Sequence, residues 1–176
     1  MLSALGVEFI VDAADIDEST VVGESARDYV MRVAIEKSMT VSRRHEACVV
    51  LAADTTVDLD GAILAKPLDA ADAEGMLHAL SGRSHETHTA VAVASDAGVA
   101  SQLVTTEVRF RHLSDAEITW YVETGEPLDK AGAYGLQGRA AAFVSEVSGS
   151  VSNVIGLPLA ETVMLLRDAG VRIAGA

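Results

Sequence analysis

Apolar positions along the chain repeat in two ways, one suited to helices and one to strands. Val30, Val33, Ala34 and Val41 recur at three- and four-residue intervals, which places them on one helical face. Ser25 and Asp28 resemble a capping box just before them, so the first clear helix is predicted to start near Ser25. Lys37 lies in that helix at a position that can share the face. Asp69 is placed to cap a second helix carrying Met76, Leu77 and Leu80, with Gly82 just past its end. Ser114 and Glu117 form a second capping box, opening a helix that runs through Val122 and stops at Gly125. Pro158 suits the first turn of a last helix with Val163 and Leu166, closed by Gly170.

The strand signals lie between these helices. Gly6 to Val11 reads as a helix end followed by a short strand. Ala47 to Ala53 is a continuous apolar run, as in a strand buried on both faces, and it is expected to stop at Asp54-Thr55-Thr56. Val57 to Leu59 and Ile63-Leu64 flank Asp60-Gly61, a hairpin signal. Thr87 to Ala94 and Leu103 to Phe110 read as two strands joined by a turn around Asp96-Ala97-Gly98. Phe143 to Val147 reads as a further short strand, and Lys130 to Gly138 as a glycine-bearing loop. Helices mixed with hairpin-linked strands predict one α/β or α+β domain around a mixed sheet, spanning residues 1–176.

Composition narrows the partners. Of 176 residues, 49% are hydrophobic and only 4% aromatic, so Val, Leu, Ile and Ala must build the core. The formal charge of −13 repels phosphate backbones and argues against nucleic acid. It also repels a nucleotide, so an anionic substrate would need a local cluster of Lys and Arg. The lone Cys48 sits in an apolar run and reads as a small buried hydrophobe. With no apolar stretch of membrane-spanning length and no leader pattern, the expected location is the cytoplasm.

Four charged residues are candidates for chemistry. Asp54 follows a buried strand, where open α/β sheets gather ligands, and could hold a metal or polarise water. From position alone, an Asp closing a turn is the commoner reading. Glu18 ends an acidic cluster with Asp12, Asp15 and Asp17, and with Asp54 would supply the carboxylate pair that Mg²⁺ accepts beside water and phosphate oxygens. Acidic runs before helices are more often dipole partners or solvated loops. Lys37 and Lys66 are candidate phosphate partners, although without the rest of a site a solubilising surface lysine is the commoner reading. His85 and His88, three apart in a strand, face opposite ways, which argues against a zinc pair.

The segments LSALGVEF, DIDES, AIEKS, AADTTV, DGAILAKP, LSGRSHETHTAVAV, EPLDKAGAYGLQG and GSVSNVIGLPL resemble, in sequence and order, the Maf proteins, known historically as septum-formation inhibitors. The resemblance implies two α/β lobes around a deep cleft, similar to the inosine-triphosphatase fold, and a homodimer. It implies a pyrophosphatase that cleaves dTTP, UTP or modified pyrimidine nucleoside triphosphates to the monophosphate and pyrophosphate, with Mg²⁺ or Mn²⁺. Position by position, Asp54 matches the catalytic aspartate and Glu18 a metal-holding acid. Lys37 and Lys66 match two catalytic, phosphate-facing lysines, although Ser38 and Ala65 replace the family's usual alanine and glycine. Thr55 and Gln137 match base-selecting positions of the dTTP/UTP branch.

Family members also begin with an apolar strand and a serine- and arginine-bearing loop upstream of the residue that matches Met1. A polypeptide lacking that segment is expected to be weakly active and less stable. Two other readings follow from the same residues: a nucleotide-binding regulator of division or septum formation that does not turn over, and a phosphatase that removes single phosphates.

Overall fold

The computed structural model describes residues 1–45 and 47–173. Five strands form one sheet in the order β2-β1-β3-β4-β5. They are β1 (Val50–Leu59), β2 (Ala62–Leu64), β3 (Ser84–Ser95), β4 (Gly98–Phe110) and β5 (Val144–Ser148). Every ladder among the described residues is antiparallel. The α/β class holds, but the sheet is antiparallel where a mixed one was expected. Tight turns impose the antiparallel order: Asp60 and Gly61, both at positive φ, close β1 onto β2.

The helices are α1 (Ala26–Ser42), α2 (Ala70–Leu80), α3 (Asp115–Glu123), the single turn α4 (Val151–Val154) and α5 (Leu159–Asp168). Their starts follow local chemistry. Ser25, Asp69 and Ser114 each accept the backbone N–H three residues on, and Ser114 and Glu117 complete both arms of a capping box. Pro158 sits at the N-cap of α5, one residue before the first-turn position its sequence suggested.

Three expectations are corrected. Val7 to Val11 forms no strand and leaves Phe9, Ile10 and Val11 exposed, because the segment meets no ladder partner among the described residues. The apolar run at 47–53 does not end at Asp54. The strand starts at Val50 and continues to Leu59, carried through its polar middle by pairing with Thr87, His88, Thr89 and Ala90. Cys48 is exposed, not buried, because it precedes the strand, after a positive-φ turn at Ala47.

The long strands pass through two apolar regions. At one end Val57, Leu59, Val108 and Phe110 pack with Leu77 and Leu80 of α2 and Ile118 and Tyr121 of α3. At the other, the two faces of β3 are covered separately. Ala90 and Ala92 meet Val30, Val33 and Ala34 of α1, while Val91 and Val93 meet Leu165 and Leu166 of α5. Each fully buried valine there contributes about 1.5 kcal/mol or more. Between the two regions the sheet carries a buried polar belt that includes Asp54, Thr56, Thr87, His88, Thr89 and Thr106. A cleft between two lobes is the outcome, because polar side chains interrupt what would otherwise be one core.

Candidate active site

At this interruption lies a cavity of about 690 Å³, within the range of about 300–1,000 Å³ usual for small-molecule sites. Glu18, Lys37, Asp54 and Lys66 all line it, as do Thr55 and Gln137. All six candidates from the sequence therefore share one hollow. Alternation along β1 points Asp54 and Thr55 to opposite faces of the sheet. Both reach the cavity because β1 pairs with β2 only from Val57 onward, so the cavity lies along an edge that no other described strand covers.

The Lys37 ammonium sits between two carboxylates, 2.8 Å from Asp54 Oδ1 and 2.9 Å from Glu18 Oε1. Burial pulls that ammonium towards neutrality, but the bonds from Asp54 and Glu18 hold its pKa above the usual lysine value. Burial also pushes the Asp54 carboxyl above the ordinary carboxylate range, against the opposing pull of Lys37. Asp54 Oδ2 is buried and has no hydrogen-bond partner among the described residues. A buried carboxylate oxygen without a donor is costly unless a ligand, water or cation completes it. Asp54 fits a divalent cation in that respect, and Glu18, joined to it through the Lys37 ammonium, is a second carboxylate on the same wall. No cluster of three or more His, Cys, Asp or Glu side chains gathers among the described residues, so phosphate oxygens and water would have to complete the coordination.

Several positioning residues carried no signal in the sequence pattern. Tyr29 on α1 lines the cavity and donates from its hydroxyl to the Glu18 carbonyl at 3.0 Å. Arg32, one turn on, donates to the Ser19 carbonyl and pairs with Glu24. Together they hold the irregular segment that carries Glu18. Asn153 is fully buried and donates to the Thr87 carbonyl and to Thr106 Oγ1, while its own carbonyl accepts from Thr89. It thereby fastens the 150–156 turn to the polar belt. Thr89 in turn bonds Thr55 at 2.9 Å, and Gly156 lies against that same Thr55 hydroxyl.

The opposite wall is the loop from Glu126 to Gly138. Gly132 has φ +66, and a Cβ there would come within 2.8 Å of Val57, so only glycine lets the loop lie on β1. Gly132 N–H donates to the Ala65 carbonyl, which links this loop to the turn bearing Lys66. Tyr134 meets His85 Nε2 at 2.9 Å, and burial lowers the His85 pKa to about 4, so its imidazole is neutral at ordinary pH. His88 is also fully buried and bonds Thr105, and neither histidine joins the cavity wall. Glu126 accepts from the Arg139 N–H at 3.0 Å and from the Tyr121 hydroxyl at 3.1 Å, anchoring the loop just beyond Gln137.

The two lobes and the cavity define an α/β protein with a nucleotide-sized cleft where lysines alternate with carboxylates. Such a site suits a polyanion held partly through a cation. The chain belongs to the Maf-like protein family, which matches residues 1–169. It is 58% identical over 174 residues to the dTTP/UTP pyrophosphatase of Anaeromyxobacter dehalogenans (strain 2CP-C), covering 97% of this chain and 88% of that one. It is 52% identical over 170 residues to the dTTP/UTP pyrophosphatase of Myxococcus xanthus (strain DK1622), covering 97% and 86%. It is 49% identical over 176 residues to the protein of the same name from Hahella chejuensis (strain KCTC 2396), covering 98% and 88%. No helix among the described residues is long and apolar enough to cross a membrane.

Proposed function

We propose that this chain hydrolyses dTTP and UTP to the nucleoside monophosphate and pyrophosphate. The observation that carries the reading is the Glu18–Lys37–Asp54 cluster, with Lys66 beside it, inside one nucleotide-sized cavity of an otherwise acidic molecule. The names of the relatives support the substrate class.

In this reaction the Asp54 carboxylate takes a proton from water as the water oxygen bonds the α-phosphorus. The bond from that phosphorus to the bridging oxygen breaks, and pyrophosphate leaves. Burial keeps the Asp54 carboxylate more basic than an exposed one, which suits a general base. Lys37 fixes the carboxylate through Oδ1, and Lys37 and Lys66 offset the charge that develops on the phosphate oxygens. Glu18 and Asp54 would hold a divalent cation, Mg²⁺ or Mn²⁺, which would supply further neutralisation of the triphosphate. Thr55 and Gln137 stand at the cavity wall as the groups that meet the base. The reading includes a cytoplasmic site of action and a homodimer, the latter tested by sedimentation equilibrium of the purified protein.

The decisive assay scores products from dTTP and UTP with Mg²⁺ or Mn²⁺. Pyrophosphate with monophosphate is the expected result. Orthophosphate alone, or a nucleotide-dependent thermal shift with no product, overturns it.

A further inference from the structure

The chain contains three lysines, at positions 37, 66 and 130, and all three line the same cavity. None of its ten arginines does so among the described residues. Lysines scattered for solubility would have no reason to converge in a molecule of formal charge −13. Two of them have matched roles in the proposed reaction; Lys130 has none.

Lys130 is held in place. Its stem crosses Gly135 so closely that a Cβ there would lie 3.2 Å from Lys130 Cε. Its ammonium is paired with Asp129, and its side chain remains about two-fifths exposed, open to a ligand. Asp129 also feels the charge of Lys66, as Asp54 does. Glu18, Lys37 and Asp54 form one ion cluster and Asp129 with Lys130 another, both on the wall of the cavity that Lys66 also lines. Lys37 and Asp54 stand on α1 and β1, whereas Lys130 belongs to the glycine loop. An ammonium presents three donors and no acceptor, so the group it fits is an anion.

We infer that Lys130 is a third substrate-binding lysine, donating to phosphate oxygens of the bound nucleotide from the loop wall. The inference rests on the proposed pyrophosphatase reading and adds a contact to it. Lys130 pairs with Asp129 on the loop and makes no ion pair with Asp54, whose partner is Lys37, so it is placed to hold the substrate without acting on the bond that breaks. Its loss should therefore raise KM and leave kcat nearly unchanged.

Lys130→Met and Lys130→Arg, compared with the unaltered chain, test this. Lys130→Met should raise KM for dTTP and UTP about 10- to 100-fold, the range for losing a charge-assisted hydrogen bond, with kcat within about threefold. Lys130→Arg should recover much of the affinity. An unchanged KM in a folded Lys130→Met variant, or a loss confined to kcat, overturns the inference.

A second measurement needs no variant and no turnover. Amine acetylation of the unaltered chain, mapped by mass spectrometry in the presence of chelator, should be slowed at Lys130 by inorganic triphosphate and by dTTP, but not by thymidine. Protection by thymidine alone, or none by triphosphate, overturns it. If the unaltered chain releases no pyrophosphate, the proposed function falls, and the protection pattern alone then decides whether Lys130 binds phosphate.

Discussion

The two walls of the cavity are built by opposite means. Lys37 and Asp54 stand on regular elements, one in the C-terminal part of the 17-residue α1 and one mid-way along β1, whose backbone is paired with β3 on both sides of it. The facing wall, from Glu126 to Gly138, has only two short 3-10 turns, Glu126–Asp129 and Ala131–Ala133. It keeps its shape through individual contacts: Glu126 with Arg139, Tyr134 with His85, and Gly132 with Ala65 and Val57. The regular wall places the groups that must sit within a few tenths of an ångström of the reacting atoms. The loop wall shapes the space the substrate fills. Damage to the first should therefore stop turnover in a folded protein, and damage to the second should loosen the protein and its grip on substrate.

The largest effect is expected from Asp54→Asn. The amide keeps an acceptor for Lys37 but cannot take a proton from water, so kcat should fall about 100- to 10,000-fold with the thermal transition retained. A folded Asp54→Asn protein with full pyrophosphate release would remove Asp54 from the reaction.

Acid should act on the loop wall. Above the ordinary histidine value of 6.5, His85 is neutral in folded and unfolded chains alike. Between 6.5 and about 4, the unfolded chain takes up a proton that the buried imidazole refuses. Stability should accordingly fall as pH drops through that window, by up to about 3 kcal/mol. Denaturant titrations of the wild type and His85→Gln between pH 7 and 4 measure it. Equal pH slopes for the two proteins would show that His85 is not the source.

Gly132→Ala should cost about 2 kcal/mol, because Ala must adopt a positive φ and press on Val57. Its kcat should hold while KM rises, the reverse of the Asp54→Asn pattern. Kinetics and melting of the two variants side by side would blur the contrast between the walls if both showed the same pattern.

Tyr29→Phe should be the mildest. It removes one hydrogen bond to the Glu18 carbonyl, about 1 kcal/mol. If Glu18 holds the cation, the Mg²⁺ concentration needed for half-maximal rate should rise a few-fold. An unchanged metal dependence would free Glu18 from Tyr29.

Local chemistry made the helices legible. Ser25, Asp69 and Ser114 announce their caps within three residues, and Asp60-Gly61 can close little other than a tight hairpin. The approach of Glu18, Lys37, Asp54 and Lys66 was legible only through motif resemblance, since they lie on four different segments. Asp54 itself was misplaced at a strand end, because a polar trio normally breaks an apolar strand. Here β3 offers matching threonines and the ladder continues. Tyr29 and Asn153 gave no warning, since a helix-face tyrosine and a loop asparagine are ordinary until their partners are known.

The sequence by itself determined where helices begin, where hairpins turn, and that any anion must be met by a local cluster drawn from few basic residues. These are matters of short-range hydrogen bonding and of charge count. Only the tertiary structure decided that β1 runs on through Asp54, that Cys48 faces water, and that all three lysines open into one cleft. Those outcomes depend on pairing and burial between residues far apart in the chain, and no local pattern encodes which distant neighbour will be there.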